Sequence, residues 1–150
     1  MKILILMFIM MTVMASAAYA QTPVVNSDET AIRAAALDYI EGWYTGDAER
    51  MERALHPDLA KRIVISNKEN NRSRLDQMSA MSLVQGTRRG GGKDTPKDKQ
   101  LKEVTILDRY ENAASVKIVA DSWIDYMHLA KFNGRWVIVN VLWELKPPQK

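Results

Sequence analysis

The sequence predicts an α+β domain in which helices lie on one face of a mainly antiparallel sheet. Three observations predict this fold class. Apolar residues recur at helical spacing in the first half of the chain, four strand-like runs fill the last third, and an Asn-Gly step joins the last two runs. Helices that precede a meander of strands, without regular alternation between the two, are typical of α+β proteins.

The first twenty residues have the pattern of a secretory signal peptide. Lys2 gives a positive start, Ile3 to Met14 is an almost unbroken apolar run, and Ala18-Tyr19-Ala20 is a small-x-small cleavage site. The run is shorter than the roughly 20 apolar residues that a membrane-spanning helix needs. We therefore expect a signal peptide at residues 1–20 and a single domain at residues 21–150, periplasmic or secreted and without a stable membrane anchor after cleavage.

Composition and spacing argue against several classes of function. The formal net charge of +3 comes from interspersed acids and bases, which does not favour a nucleic-acid partner. The sequence has no cysteine, which excludes disulfides and thiolate chemistry. Its two histidines, His56 and His128, match no metal motif, and Gly90-Gly91-Gly92-Lys93 lacks the flanking residues of a phosphate loop. We expect neither a metal nor a cofactor.

Two helices are predicted near the start of the mature chain. Asn26 or Ser27 can cap the first, which breaks at Thr45-Gly46-Asp47. A second short helix follows and is ended by Pro57, because the residue before a proline avoids helical angles. The inward stripe of the first helix comprises Ile32, Ala36, Tyr39, Ile40 and Trp43.

The middle of the chain is predicted to hold a short strand, a third helix and a loop. Arg62 to Ser66 is predicted as strand because a polar turn follows it, and the apolar spacing from Leu75 to Leu83 indicates a helix that starts near Ser73. Gly86 to Lys99 has three consecutive glycines and alternating charge, so it has little reason to be ordered.

Four strands joined by tight turns are predicted for the last third of the chain, at residues 101–110, 113–120, 122–132 and 135–145. The Asn133-Gly134 step favours a type I′ turn, which pairs Phe132 with Arg135 and, further along, His128 with Val139. Both faces of this last hairpin are largely apolar, so both need a covering layer.

Two segments resemble the nuclear transport factor 2-like superfamily. The first is Tyr39-Ile40-Glu41-Gly42-Trp43-Tyr44-Thr45-Gly46-Asp47, followed by Leu55-His56-Pro57-Asp58-Leu59-Ala60-Lys61-Arg62. The second, Trp123 to Asn140, is similar to the branch known as putative lumazine-binding proteins. The resemblance implies a cone-shaped, cystatin-like fold with three helices in a strongly curved sheet, a pocket inside the cone and frequent dimerisation through the outer sheet face. Superfamily members include enzymes and plain binding domains, so the fold does not fix an activity.

The resemblance also implies which side chains face the pocket. By comparison with the ketosteroid isomerases of the superfamily, Tyr39 falls at the oxyanion-binding position and His128 near the second donor, which puts Tyr126 in the hollow as well. The basic Asp of those enzymes would fall near Ile63 or Val64, whose alkyl groups accept no proton, so ketosteroid isomerisation is not expected. The predicted ligand-binding residues are Tyr39, Trp43, Arg62, Tyr126, His128 and Trp143.

These residues also have purely structural interpretations. An aromatic stripe at helical spacing is typical of core packing, and His128 fits a core histidine that is paired with a neighbour. Arg62 fits either the pocket mouth, where it would meet an anionic ligand, or an exposed surface. Alternation puts Asp125 on the sheet face opposite His128, where we expect a structural ion pair, for example with Lys131.

Three functions remain open on the sequence alone. The first is an exported protein that binds a flat heterocycle or another apolar small molecule in the cone. The second is a lyase, isomerase or cyclase that uses His128 and Tyr39, although no catalytic motif is recognisable. The third is a structural or partner-binding module with a filled cone. In each case a homodimer is expected through an outer sheet face that carries Trp123, Leu129, Trp136 and Ile138.

Overall fold

The computed structural model describes residues 27–67 and 69–148. The predicted signal peptide lies outside the described residues. The helices are α1 (Ser27–Thr45), α2 (Ala48–Ala54) and α3 (Ala80–Arg88), with a short 3-10 turn at Lys97–Lys99. The strands are β1 (Leu55–Asn67), β2 (Arg72–Ser79), β3 (Glu103–Tyr110), β4 (Ala113–Val119), β5 (Trp123–Phe132) and β6 (Arg135–Leu145).

The six strands form one curved open sheet in the order β2-β1-β6-β5-β4-β3. All neighbouring strands are antiparallel except β1 and β6, which are parallel. The helices pack on the inner face of this sheet, so the predicted α+β class and its cone-shaped form are confirmed. Among the described helices, none combines the length and the apolarity that crossing a lipid bilayer requires.

The core lies between the helices and the inner sheet face. Each large aliphatic side chain that is fully buried there stabilises the fold by about 1.5–3 kcal/mol relative to an exposed position. The largest fully buried apolar side chains are Ile32, Ile40, Met51, Val116, Ile118, Met127, Leu129, Ile138 and Val141.

Helix α2 is shorter than the sequence predicts, and the strand after it is longer. The Asp47 side chain caps α2 by accepting a hydrogen bond from the Arg50 backbone N–H at 2.9 Å. The helix ends at Ala54, and β1 runs through Pro57 to Asn67 instead of covering only residues 62–66. The pairing of β1 with β6 is interrupted between Leu55 and Ala60, so the missing N–H of Pro57 costs no regular ladder bond.

The first part of the predicted third helix is wrong. Arg72–Ser79 forms an edge strand whose eight residues pair in register with β1, and Asn71 adopts a positive φ of 49° in the connecting turn. Helix α3 starts only at Ala80, where Ser79 accepts a hydrogen bond from the Ser82 N–H at 3.2 Å. Backbone pairing with the free edge of β1 therefore overrides the weak helical spacing of this segment.

The glycine-rich loop is ordered, contrary to the sequence prediction. Gly90 and Gly91 donate backbone hydrogen bonds to the carbonyls of Thr87 and Gly86 at 2.8 and 3.1 Å. A Cβ at Gly91 would lie 2.4 Å from Trp43 Cη2, and a Cβ at Gly92 would lie 2.4 Å from Trp43 Cδ1. The glycines thus bring the loop backbone into direct contact with the Trp43 ring, a contact that side chains would prevent.

The last hairpin has the predicted strands but not the predicted register throughout. Pairing is as expected from Phe132/Arg135 to Leu129/Ile138, but His128 then pairs with Asn140. Val139 is therefore the extra residue of a β-bulge. The bulge shifts all later residues of β6 by one position, so residues 141, 143 and 145 take the inner face in place of 140, 142 and 144.

Candidate functional site

A cavity of about 740 Å³ opens between α1, the start of α3 and the inner faces of β1, β2, β5 and β6. Its volume is in the range of small-molecule sites in proteins. Three indole rings, those of Trp43, Trp123 and Trp143, form much of its wall. The remaining lining residues are Tyr39, Lys61, Ile63, Ile65, Asp76, Gln77, Met78, Leu83 and Leu145.

The cavity has a closed end and a mouth. Lys61 and Tyr39 at the closed end are 4% and 3% exposed. Ile65 and Leu145, at the far ends of β1 and β6, are 38% and 57% exposed. A ligand would therefore enter between the strand ends and meet the buried polar groups last.

The closed end holds a four-residue polar cluster: Tyr39, Lys61, Trp123 and Asp125. Lys61 Nζ lies 2.5 Å from Asp125 Oδ1 and 2.6 Å from Tyr39 Oη. Tyr39 Oη and Trp123 Nε1 both donate to Asp125 Oδ2, at 3.2 and 2.7 Å. The Asp125 carboxylate is completely buried. Because it has no access to solvent, these three donors replace its hydration.

Burial and pairing shift the pKa values of this cluster. Burial raises the pKa of the Tyr39 hydroxyl well above its usual range, and the Asp125 carboxylate raises it further. Burial lowers the pKa of Lys61, whereas Asp125 opposes that shift. Tyr39 is consequently a neutral donor at physiological pH. The ammonium of Lys61 also lies 4.8 Å from the Trp143 ring centroid, a cation–π distance.

Trp143 reaches the cavity because of the bulge at Val139. Without the bulge, Trp143 would share a face with Tyr126, whereas in the structure it pairs with Asp125 and faces inward. Its Nε1 is buried and has no hydrogen-bond partner within residues 27–67 and 69–148. Such an unpaired buried donor costs about 1–3 kcal/mol.

The sequence profile of one protein family, described as "Putative lumazine-binding", matches residues 27–144. The chain belongs to this family. The match includes all three helices and nearly all of the sheet, so it covers the polar cluster and every cavity-lining residue except Leu145. No functionally curated protein matches the chain.

Solved structures support the same fold for this lumazine-binding family member. A nuclear transport factor 2-like protein from Methylobacillus flagellatus is 18% identical, covers 83% of this chain and 97% of its own, and has a TM-score of 0.61. One from Shewanella baltica is 17% identical over 81% and 95% of the two chains, with a TM-score of 0.59. A cystatin-like protein from Nostoc punctiforme is 16% identical over 80% and 92%, with a TM-score of 0.54. At these identities the likeness establishes the fold alone.

Two predicted pocket residues, Tyr126 and His128, lie on the outer face of the sheet, so their predicted placement in the hollow is wrong. Tyr126 is 46% exposed, and its ring lies 5.9 Å from Lys117 Nζ. The exposed His128 has its Nδ1 3.3 Å from Asn140 Nδ2. The wrong face of β5 was predicted to point inward. The buried residues of this strand are Asp125, Met127 and Leu129, which alternate with Tyr126 and His128. Catalysis that combines His128 with Tyr39 therefore has no geometric basis.

Arg62 also lies outside the cavity. Its Nε and Nη1 donate to Gln77 Oε1 at 2.9 Å and to Asn140 Oδ1 at 3.1 Å on the outer sheet face. The side chains of β1 alternate, so the preceding residue, Lys61, provides the cation that faces the cavity. Tyr39, Trp43 and Trp143 are the predicted pocket residues that do line the cavity.

The side chains predicted to form the outer dimer face are inside the domain or at its cavity. Leu129, Trp136 and Ile138 are at most 5% exposed, and Trp123 lines the cavity. The outer face instead exposes Val64, Leu75, Tyr126 and Leu142, each at least 44% exposed. Whether two chains associate there remains a prediction.

Three residues of the polar cluster were not predicted from the sequence: Trp123, which was assigned to the outer face, and the pair Lys61 and Asp125. Asp125 pairs with Lys61 rather than with the expected Lys131, which instead donates to Asp28 at 2.8 Å. A signal was present in the sequence: Lys61 alternates with the apolar Leu59 and Ile63, just as Asp125 precedes Met127 and Leu129 at alternate positions. Two opposite charges, each alone on an apolar strand face, predict a buried pair. In the described residues, no group of three His, Cys, Asp or Glu side chains could hold a metal ion.

Proposed function

We propose that this protein binds a small, flat and largely apolar molecule, such as a lumazine-like heterocycle, in its cavity. The observation that carries the proposal is an aromatic-walled cavity of about 740 Å³ whose lining is mainly apolar, apart from Asp76 and Gln77 on β2 and the buried polar cluster at its closed end. Flat rings stack favourably on indole faces, and a few convergent polar groups fix the orientation of a ligand.

The cavity favours binding over the two alternative functions. A lyase, isomerase or cyclase that depends on His128 does not fit, because His128 is exposed on the opposite sheet face. A filled cone does not fit the space that the described side chains leave between Trp43 and Trp143. Asp125 is also unsuited to act as a base, since three donors already occupy its carboxylate.

Tryptophan fluorescence tests the proposal, because three of the four tryptophans line the cavity. Titration with lumazine and with riboflavin should quench the emission saturably in the micromolar range. Trp43→Ala should weaken binding because it removes one wall, whereas Tyr126→Ala, on the outer face, should leave it unchanged. Absence of saturable quenching up to high micromolar ligand, or equal affinity of wild type and Trp43→Ala, would refute the proposal.

We also propose that the protein is exported. The support is the sequence pattern of residues 1–20, which end in Ala18-Tyr19-Ala20. Expression of the full chain in a Gram-negative host, followed by mass determination of the periplasmic fraction, should give a chain that begins at Gln21. Retention of the full-length chain in the cytoplasm would contradict export without affecting the ligand proposal.

A further inference from the structure

The closed end of the cavity presents hydrogen-bond donors and no free acceptor to a ligand. A lysine ammonium has three N–H bonds. Two of those on Lys61 are directed to Asp125 Oδ1 and Tyr39 Oη. The third has no partner in the hydrogen bonds of the described residues, and Lys61 lines the cavity.

Each acceptor atom of the polar cluster already accepts at least one hydrogen bond. Asp125 accepts from Lys61, Tyr39 and Trp123, and it does not itself line the cavity. Tyr39 Oη accepts from Lys61 and donates to Asp125. A ligand that brings its own N–H or ammonium to the closed end would thus find no free acceptor in the cluster, and the buried donor would cost free energy.

The charge of the cluster further restricts which ligands the closed end can accept. Lys61 and Asp125 form a neutral buried pair with side chains 5% and 0% exposed. A carboxylate ligand would add an uncompensated negative charge beside Asp125, and an ammonium would add a positive one beside Lys61. Either charge is expensive to bury, whereas a neutral acceptor is not.

From this arrangement we infer that the cavity selects ligands whose inner edge carries a neutral carbonyl oxygen, which accepts a hydrogen bond from the third N–H of Lys61 Nζ. The inference rests on the proposed function, since it assumes that the cavity binds a flat ring. The carbonyl lies at the closed end, and the ring lies between Trp43 and Trp143. Substituents on the opposite edge of the ring project toward Ile65 and Leu145 at the mouth.

Four naphthalene derivatives of similar size separate these requirements when their affinities are measured by quenching of the tryptophan emission: naphthyl methyl ketone, ethylnaphthalene, naphthoate and naphthylethylammonium. A hydrogen bond to a charged group favours the ketone over ethylnaphthalene by about tenfold or more in affinity. Naphthoate and the ammonium probe should both bind more weakly than the ketone. The carbonyl stretching band of the bound ketone should move to lower frequency than in water.

A paired variant assigns the effect to Lys61. Lys61→Met alone leaves the Asp125 charge unpaired and is at risk of unfolding, so Lys61→Met with Asp125→Asn is used to remove both charges while keeping an acceptor for Tyr39 and Trp123. In this variant the ketone should bind no more tightly than ethylnaphthalene, because its buried carbonyl has lost the Lys61 donor, and the carbonyl band shift should disappear.

The failures are distinguishable. If ethylnaphthalene and the ketone bind the wild-type protein equally, or if naphthoate binds best, the carbonyl inference is overturned while the cavity remains a binding site. If the ketone preference persists in the paired variant, Lys61 is not the donor and the inference fails. If none of the probes, nor lumazine or riboflavin, binds, the proposed function fails with it.

Discussion

Lys61 and Asp125 form a buried ion pair although they lie on strands that are not neighbours, because β6 runs between β1 and β5. The long lysine side chain crosses the inner face of β6 to reach the carboxylate. The pair therefore links the β1/β2 hairpin to the meander formed by β3 to β6, and it also closes the floor of the cavity.

Removal of one partner of this pair should be far more damaging than removal of both. Lys61→Met leaves a buried charge and should lower the free energy of unfolding by about 3–5 kcal/mol, and the added Asp125→Asn should recover part of that loss. Urea denaturation of the wild type, the two single variants and the double variant measures both effects and their coupling. Arg74→Met, which breaks an exposed pair with Asp76, is the control and should change stability by about 0.5 kcal/mol or less. Strictly additive effects of the two core substitutions would contradict the coupling.

The glycine-rich loop should tolerate alanine at one glycine and not at two others. Gly91→Ala and Gly92→Ala place a Cβ within 2.4 Å of Trp43 ring carbons and should each lower stability by about 1–3 kcal/mol. Gly86→Ala places its Cβ at an ordinary 3.6 Å from the same ring and, being inside α3, should raise stability by up to about 1 kcal/mol. Thermal denaturation decides: equal melting temperatures for Gly86→Ala and Gly91→Ala would contradict the packing.

Tryptophan should abolish ligand binding at one position of β1 and leave it unchanged at the next. Ile63→Trp inserts a large ring into the cavity and should abolish binding of a flat ligand, whereas Val64→Trp places the same ring on the outer face. Fluorescence titration with riboflavin, which emits outside the tryptophan range, measures both. Undiminished binding by Ile63→Trp would show that the ligand does not occupy this cavity.

Acid should destabilise the protein partly through Glu41. Hydrogen bonding from Lys102 lowers the pKa of Glu41 below its usual 4.5, against the effect of burial, and Arg50 lowers it further. The folded pKa is below the unfolded one, so the contribution of Glu41 is fully present above about pH 4.5 and is lost as the pH falls through the folded value. Glu41→Gln should reduce the loss of stability between pH 5 and 3, measured by urea titrations at each pH; an unchanged acid slope would be inconsistent with the ion pairs.

A dimer, if it forms through the outer sheet face, should use Val64, Leu75, Tyr126 and Leu142. These side chains belong to two cross-strand pairs, Val64/Leu75 and Tyr126/Leu142, and each is at least 44% exposed. Leu142→Glu should halve the sedimentation mass at micromolar concentration, whereas Leu107→Glu, on β3 at the far edge of the sheet, should not. A wild-type mass equal to one chain would contradict the dimer.

The sequence predicted the strands of the last third, the start of α1 and the fold class, because strong periodicity and an Asn-Gly turn are local signals. It did not predict β2, since that strand depends on a partner, β1, for its backbone hydrogen bonds. The order of the glycine-rich loop was also not predicted. Its order comes from Trp43, more than forty residues earlier, and no local pattern reveals that contact.

The site was predicted only in part, because the wrong face of β5 was expected to point inward and the bulge at Val139 was not predicted. The register that follows from the Asn133-Gly134 turn put His128 opposite Val139, and the bulge at Val139 is invisible to alternation. The comparison with the ketosteroid isomerases put His128 on the inner face, and an uninterrupted register then put Tyr126 and Trp143 on that face as well. In the structure the bulge brings Trp143 to the inner face, whereas His128 and Tyr126 lie on the outer one. The solitary charges of Lys61 and Asp125 on apolar faces are independent of register and would have identified the true floor of the cavity.

The contact between Trp43 and the glycine backbone also bears on the entropy of binding. A free tryptophan on a cavity wall loses rotamer freedom when a ligand stacks against it, and this loss subtracts from affinity. The backbone of Gly91 and Gly92 already packs against the Trp43 ring, so closely that a Cβ at either glycine would lie 2.4 Å from a ring carbon. This packing restricts the rotamers of Trp43. The wall that a flat ligand meets is thus ordered before the ligand arrives, so its conformational cost is met during folding and not on association.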